Sequence, residues 1–260
     1  MDTAQAEWLD WGRGENQAKT GWWVADVNIN PFNSDEVMYG TGATIYSTQN
    51  MTKIGTEPVT IAFDAYGLEE TAVFKMLAPP SKDDSPQLYS IMGDLTGFAH
   101  KDVTQCPDDA HFMKNGKPTD LDVAFQNPNT AVYLSEEKTT TINFTQDGGA
   151  TWETVKHKPD PATGGQVAMS ADGSSTIWVP NSISGKPYVT TDLGKTWYYV
   201  EGLGFNAKIA ADRVNPKVFY ATCDGLFYVS RDGGVTFEST GQMVADSAEP
   251  VAVFGQEGDV

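Results

Sequence analysis

Apolar and polar positions alternate along this chain in short runs that end at turn residues, the pattern of β-strands. The clearest stretch reads Ala207 to Val214, Val218 to Thr222 and Leu226 to Ser230, with a fourth run opening at Thr236. The same plan is legible near the start, as Trp23 to Ile29, Glu36 to Tyr39, Thr44 to Ser47 and Val59 to Phe63. A second repeat has runs at Thr71 to Leu77 and Leu88 to Met92, then an irregular stretch as far as Lys117. The turn after the first run of each repeat falls at Asn30-Pro31, Pro79-Pro80, Asn127-Pro128, Asp172-Gly173 and Asn215-Pro216, a step of about 45 residues. Four-stranded repeats of that length predict an all-β fold of β-propeller blades. Residues 1–20 read as a lead-in and 21–260 as the propeller. Val251-Ala252-Val253-Phe254 reads as the first strand of a further repeat. A lone inner strand would leave an open edge, so the chain is expected to be part of a longer protein. A ring closed by that terminal strand is the alternative.

A second pattern fixes the register. Thr145-Gln146-Asp147-Gly148-Gly149-Ala150-Thr151-Trp152 returns as Thr190-Thr191-Asp192-Leu193-Gly194-Lys195-Thr196-Trp197 and as Ser230-Arg231-Asp232-Gly233-Gly234-Val235-Thr236-Phe237. Each has a hydroxyl residue, Asp two later, Gly two after that, then Thr and an aromatic. The carboxylate can accept backbone N–H bonds within a tight turn, Gly can take positive φ, and the aromatic can pack between sheets. This is the Asp-box; in the first repeat it has decayed to Ser47-Thr48-Gln49-Asn50-Met51-Thr52. The boxes follow third strands, so they share a face with the turns after first strands. The opposite face carries the loops Gly40 to Ala43, Ala65 to Glu70, Gly93 to Lys101, Ser135 to Thr139, Asn181 to Gly185 and Thr222 to Gly225. Function tends to sit on loops held by such a scaffold.

Charge narrows the range of partners. The chain has 35 acidic and 17 basic residues and a net charge of −18. Such a surface repels phosphate backbones, which argues against nucleic acid as a partner. No run of 18 apolar residues is present to span a membrane, and Met1 to Asn16 is too polar for a signal peptide. Cys106 and Cys223 lie far apart, as one disulfide or as free buried thiols, and metal-ligand spacing is absent. Neither a metal nor another cofactor is expected.

One loop on the second face carries chemistry: Gly93-Asp94-Leu95-Thr96-Gly97-Phe98-Ala99-His100-Lys101-Asp102, which presents an acid, an aromatic and a histidine. With it go Asn30-Pro31-Phe32-Asn33-Ser34-Asp35, Met38-Tyr39-Gly40-Thr41-Gly42-Ala43-Thr44-Ile45-Tyr46 and Gly67-Leu68-Glu69-Glu70-Thr71-Ala72-Val73. Together these runs resemble family 74 glycoside hydrolases, the xyloglucanases and related oligoxyloglucan-releasing enzymes. The resemblance covers nearly the whole chain. It implies a secreted, extracellular protein with two seven-bladed propellers, a polysaccharide in the cleft between them and one catalytic Asp from each. This chain then looks like most of the second propeller, with about five blades, and the first propeller becomes its missing partner. Asp94 falls on the family's catalytic position, as general acid or base of an inverting reaction whose two carboxyls stand about 6.5–9.5 Å apart. Thr96 stands where the family usually has Gly, and Ala99 where it often has Arg. His100, Phe98, Glu70, Trp22, Trp23 and Trp178 are the candidate sugar contacts, because apolar sugar faces pack on aromatic rings.

Two other classes compete. A non-catalytic propeller binding glycans or protein partners would need no second carboxylate. A sialidase would need an Arg cluster for its substrate's carboxylate, and Arg13, Arg213 and Arg231 all lie off the functional loops.

Overall fold

The computed structural model describes residues 23–42, 44–65, 72–82, 84–93, 96–105, 107, 117–136, 138–159, 163–181, 185–258 and 260. The chain divides into two compact units, Met1–Ala72 and Val73–Val260. In the first, β1 (Asp26–Ile29), β2 (Val37–Gly40), β3 (Ile45–Thr48) and β4 (Ala62–Phe63) form one antiparallel sheet in chain order. Its core is aromatic: Tyr39 stacks on Tyr46 at 4.9 Å, and Phe63 lies 4.9 Å from Tyr46 on the other side.

Among the described residues, four sheets make up the second unit. β5 (Val73–Leu77), β6 (Leu88–Met92) and β7 (Thr96–His100) form a three-stranded sheet. Three four-stranded sheets follow: β8 (Lys117–Val123), β9 (Ala131–Glu136), β10 (Thr140–Thr145) and β11 (Glu153–Thr154); β12 (Gln166–Met169), β13 (Thr176–Val179), β14 (Tyr188–Thr190) and β15 (Tyr198–Tyr199); β16 (Lys208–Ala211), β17 (Phe219–Cys223), β18 (Leu226–Ser230) and β19 (Glu238–Met243). Each is an up-and-down antiparallel blade, as the repeat predicts. A 3₁₀ turn at Met51–Lys53 is the one helical segment among the described residues.

Two expectations are corrected. The stretch after Met92 is not irregular: Thr96–His100 is a strand, paired to β6 from Met92↔Thr96 to Leu88↔His100. Gly97, which reads as a loop residue, sits inside that ladder opposite Ile91. Val251 to Phe254 is not an inner strand either. Side-chain and terminal contacts hold this segment on earlier turns instead: the Phe254 ring lies 6.2 Å from Phe125, and the Gly258 N–H donates to Asp212 at 2.9 Å.

The three Asp-boxes are one device built three times. In the first, Thr145 Oγ1 donates to Asp147 Oδ1 at 2.7 Å and accepts the Gly149 N–H at 3.0 Å, while Asp147 Oδ1 accepts the Thr151 N–H at 2.9 Å. Thr190, Asp192, Gly194 and Thr196 repeat the set, and so do Ser230, Asp232, Gly234 and Thr236. The second Gly is required by packing as well as by φ. A Cβ on Gly149, Gly194 or Gly234 would fall 2.9 Å from Ala99, 2.5 Å from Val155 and 2.5 Å from Ile177, each on the preceding blade. The box aromatics fill the same seams: Trp152 packs with Tyr89, Ile91 and Leu121, Trp197 with Leu134 and Phe144, and Phe237 with Ile177 and Phe219. The Gly148 N–H donates to Asn129 O and the Gly233 N–H to Lys217 O, both at 2.9 Å, which puts the boxes at the end of the blade where first strands turn.

These carboxylates set an acid limit on stability. Partial burial pushes Asp232 up, but the bonds from Thr236 side chain and backbone, with those from Ser230 and Val235, outweigh it and hold the carboxyl below its ordinary value. Asp147 and Asp192 are held down by the same balance. A depressed carboxyl stabilises the fold above its unfolded pKa, and that stability is lost as pH falls through the lowered value. Asp232→Ala is therefore expected to cost about 1–2 kcal/mol at neutral pH, since the turn N–H groups lose their acceptor. Its melting temperature should approach that of the parent chain as the pH drops below about 4. A constant gap across pH 3 to 7 would show that the carboxylate is not the cause.

Candidate functional site

The region singled out by sequence is the β6–β7 hairpin. β6 ends at Met92, which pairs with Thr96 at the start of β7. Asp94 lies between them in sequence and outside the described residues, as do Glu70 and Trp22. Thr96 is fully buried and has φ 69°, in the left-handed region. A β-branched residue there is a conformational outlier. The position thus has the backbone of a glycine but carries a threonine, at the mouth of the hairpin that bears Asp94. Thr96→Gly is expected to raise stability by about 1 kcal/mol, relief of strain exceeding the added unfolded-state entropy. A lower melting temperature would show that the buried Thr96 side chain contributes more than its backbone costs.

The other candidates are dispersed. Phe98 is buried in β7, and its ring lies 5.7 Å from that of His100. His100 is half-buried, with Nε2 3.0 Å from Ser90 Oγ, and burial lowers its pKa, so the imidazole is neutral at neutral pH. It stands at the far end of β7 from Thr96, a rise of about 13 Å along the strand. Trp178 is core: it is 0% exposed, its indole N–H donates to Gly164 O at 2.7 Å, and its neighbours are Val132, Val167 and Trp197. It offers no face to a sugar, because β13 is an interior strand with both faces covered. Trp23 is 82% exposed, in the first unit.

Sequence reasoning passed over two buried acids on β8. Asp120 and Asp122 are alternate residues, so their side chains leave the same side of the strand. Asp120 Oδ2 accepts the Val167 N–H and Asp122 Oδ2 the Met169 N–H, each at 2.7 Å, which ties β8 to the first strand of the next blade. Asp120 pairs with Lys75 at 2.7 Å on the preceding blade, though burial still pushes its pKa up. Asp122 pairs with Arg213 at 2.9 Å, whose guanidinium also lies 4.4 Å over the Phe125 ring. The legible signal was Asp at every second position of an inner strand. Among the described residues no cluster of three or more His, Cys, Asp or Glu side chains could hold a metal. Cys223 is a buried free thiol.

No protein-family model matches the chain. Individual relatives do. A xyloglucanase of Acetivibrio thermocellus is 40% identical over 271 residues, covering 100% of this chain and 32% of its own length. A xyloglucanase of a Paenibacillus species is 39% identical over 276 residues, and 26% of it is covered. An oligoxyloglucan-reducing end-specific xyloglucanase of Emericella nidulans is 32% identical over 93% of this chain and 34% of its own. Among solved structures, the family 74 xyloglucanase of Xanthomonas campestris superposes with a TM-score of 0.76 at 27% identity, over 96% of this chain and 35% of that one. The family 74 enzyme of Niastella koreensis gives 0.70 at 25% identity, over 91% and 33%. The chain spans about a third of the length of the proteins it matches. From end to end, this chain is homologous to that third of a family 74 glycoside hydrolase.

Proposed function

We propose that this chain supplies one catalytic wall of a secreted xyloglucan hydrolase, with residues 21–260 as its second propeller and 1–20 as a lead-in. The observation that carries the reading is 40% identity to a xyloglucanase over the whole chain, through the run that includes Asp94. In this reading Asp94 is one of two carboxyl groups in an inverting reaction. One protonates the leaving glycosidic oxygen and the other activates water, about 6.5–9.5 Å apart. The second carboxyl comes from a companion propeller. The bond cleaved lies in a β-1,4-glucan backbone, within the chain or at a reducing end.

The test is release of reducing sugar from xyloglucan, with cellulose and mixed-linkage glucan as controls. A protein joining this chain to a companion propeller should prefer xyloglucan, and the 260-residue chain alone should be inactive. Turnover by the chain alone would overturn the division of the two carboxylates. No turnover of any glucan by the joined protein would overturn the hydrolase reading.

A further inference from the structure

Away from the β6–β7 hairpin, the outer strands β14 and β15 carry aromatic rings that run from the core out to solvent. Trp178, Tyr188 and Tyr199 form a staircase of near-parallel rings, 6.0 Å and then 5.0 Å apart and inclined by about 30°. It climbs from the fully buried Trp178 to Tyr199, which is 61% exposed. Folding is served by the buried end; the exposed end buries little and costs rotamer freedom to hold. The two tyrosines of the staircase border an open cleft of about 490 Å³, lined with them by His157, Lys158, Pro159, Trp197 and Tyr198. Two ammonium groups sit over these rings, Lys158 at 5.8 Å from Trp178 and Lys186 at 5.7 Å from Tyr199. Burial and a bond to the Tyr199 phenol push Tyr188 up to about 12.

An aromatic floor held in place by stacking, with N–H and O–H donors at its rim, matches a pyranose: an apolar ring face ringed by hydroxyls. We propose that this cleft is a second glycan-binding surface, which holds the backbone of a neutral β-1,4-glucan against Tyr199, the exposed end of the staircase. The choice of glucan rests on the hydrolase reading above; the cleft itself does not involve Asp94. Xyloglucan in solution and the surface of cellulose share this backbone, and both are sources the cleft can engage.

The experiment is affinity electrophoresis of the 260-residue chain through gels containing xyloglucan, with a parallel pull-down on insoluble cellulose. The parent chain should be retarded, bound, or both, and which arm responds identifies the source. Tyr199→Ala should weaken binding roughly tenfold, as loss of one aromatic contact does. Tyr199→Phe should bind like the parent, because the stacking face remains. Tyr199 is exposed, so both variants should keep the parent's circular dichroism and melting temperature. If Tyr199→Ala binds like the parent, or the parent binds neither glucan, the cleft is not a glycan site. The hydrolase reading is tested separately, by turnover of the joined protein, so the cleft proposal can fall while that reading stands.

Discussion

Asp94→Asn, in a protein joining this chain to its companion propeller, is expected to cut xyloglucan hydrolysis by about 10²–10⁴-fold, the usual worth of one general acid or base. Folding and substrate binding should persist, because the amide matches the carboxyl in size and can still donate and accept hydrogen bonds. It cannot deliver a proton to the leaving oxygen or remove one from water. An aryl glycoside tells these roles apart. A phenolate of low pKa leaves with little protonation, so it should be hydrolysed nearly normally by the variant if Asp94 is the acid. Equal loss on both substrates makes Asp94 the base. Unchanged turnover on both removes Asp94 from the mechanism.

The second large effect is on stability. Arg213→Met is expected to cost about 3–5 kcal/mol, because Asp122 is 98% buried by its neighbours and would lose its counter-ion at 2.9 Å. For a chain of this length that is on the order of 10 °C in melting temperature. The penalty comes from the stranded charge more than from the lost attraction. Adding Asp122→Asn should therefore recover most of it, since a neutral amide needs no cation and still accepts the Met169 N–H. If the double variant is less stable than Arg213→Met alone, the contact of the guanidinium with Phe125 and Val123 O carries the effect instead.

The blades were legible because strand alternation and turn chemistry act locally. Leu88–Met92 and Leu226–Ser230 are read to the residue, and the three boxes form the bonds their residue types imply. The hairpin was misread for a related reason. Gly93 and Gly97 bracket it, and glycine signals a loop whether or not a neighbouring strand supplies partners; here β6 does. Trp178 shows the limit of reading a site by residue type. Which side of a strand faces solvent depends on the blade packed against it, and no local pattern records that. Asp120 and Asp122 were missed because an acid on an inner strand looks like a surface residue until the N–H groups and cations of other blades are in place.

The turn in the first unit shows how far the Asp-box can be stretched. Thr48 Oγ1 donates to Asn50 Oδ1 at 3.0 Å, as Thr145 does to Asp147, but Asn50 Oδ1 accepts its backbone N–H from Thr60, ten residues on, where Asp147 takes Thr151, four on. The clamp closes over the intervening loop without losing its geometry. That makes the gap between acid and threonine a splice point. A peptide grafted between Gly194 and Thr196 would be tethered at both ends by bonds the blade already makes, so epitopes or affinity tags could be carried there with the strands left as they are.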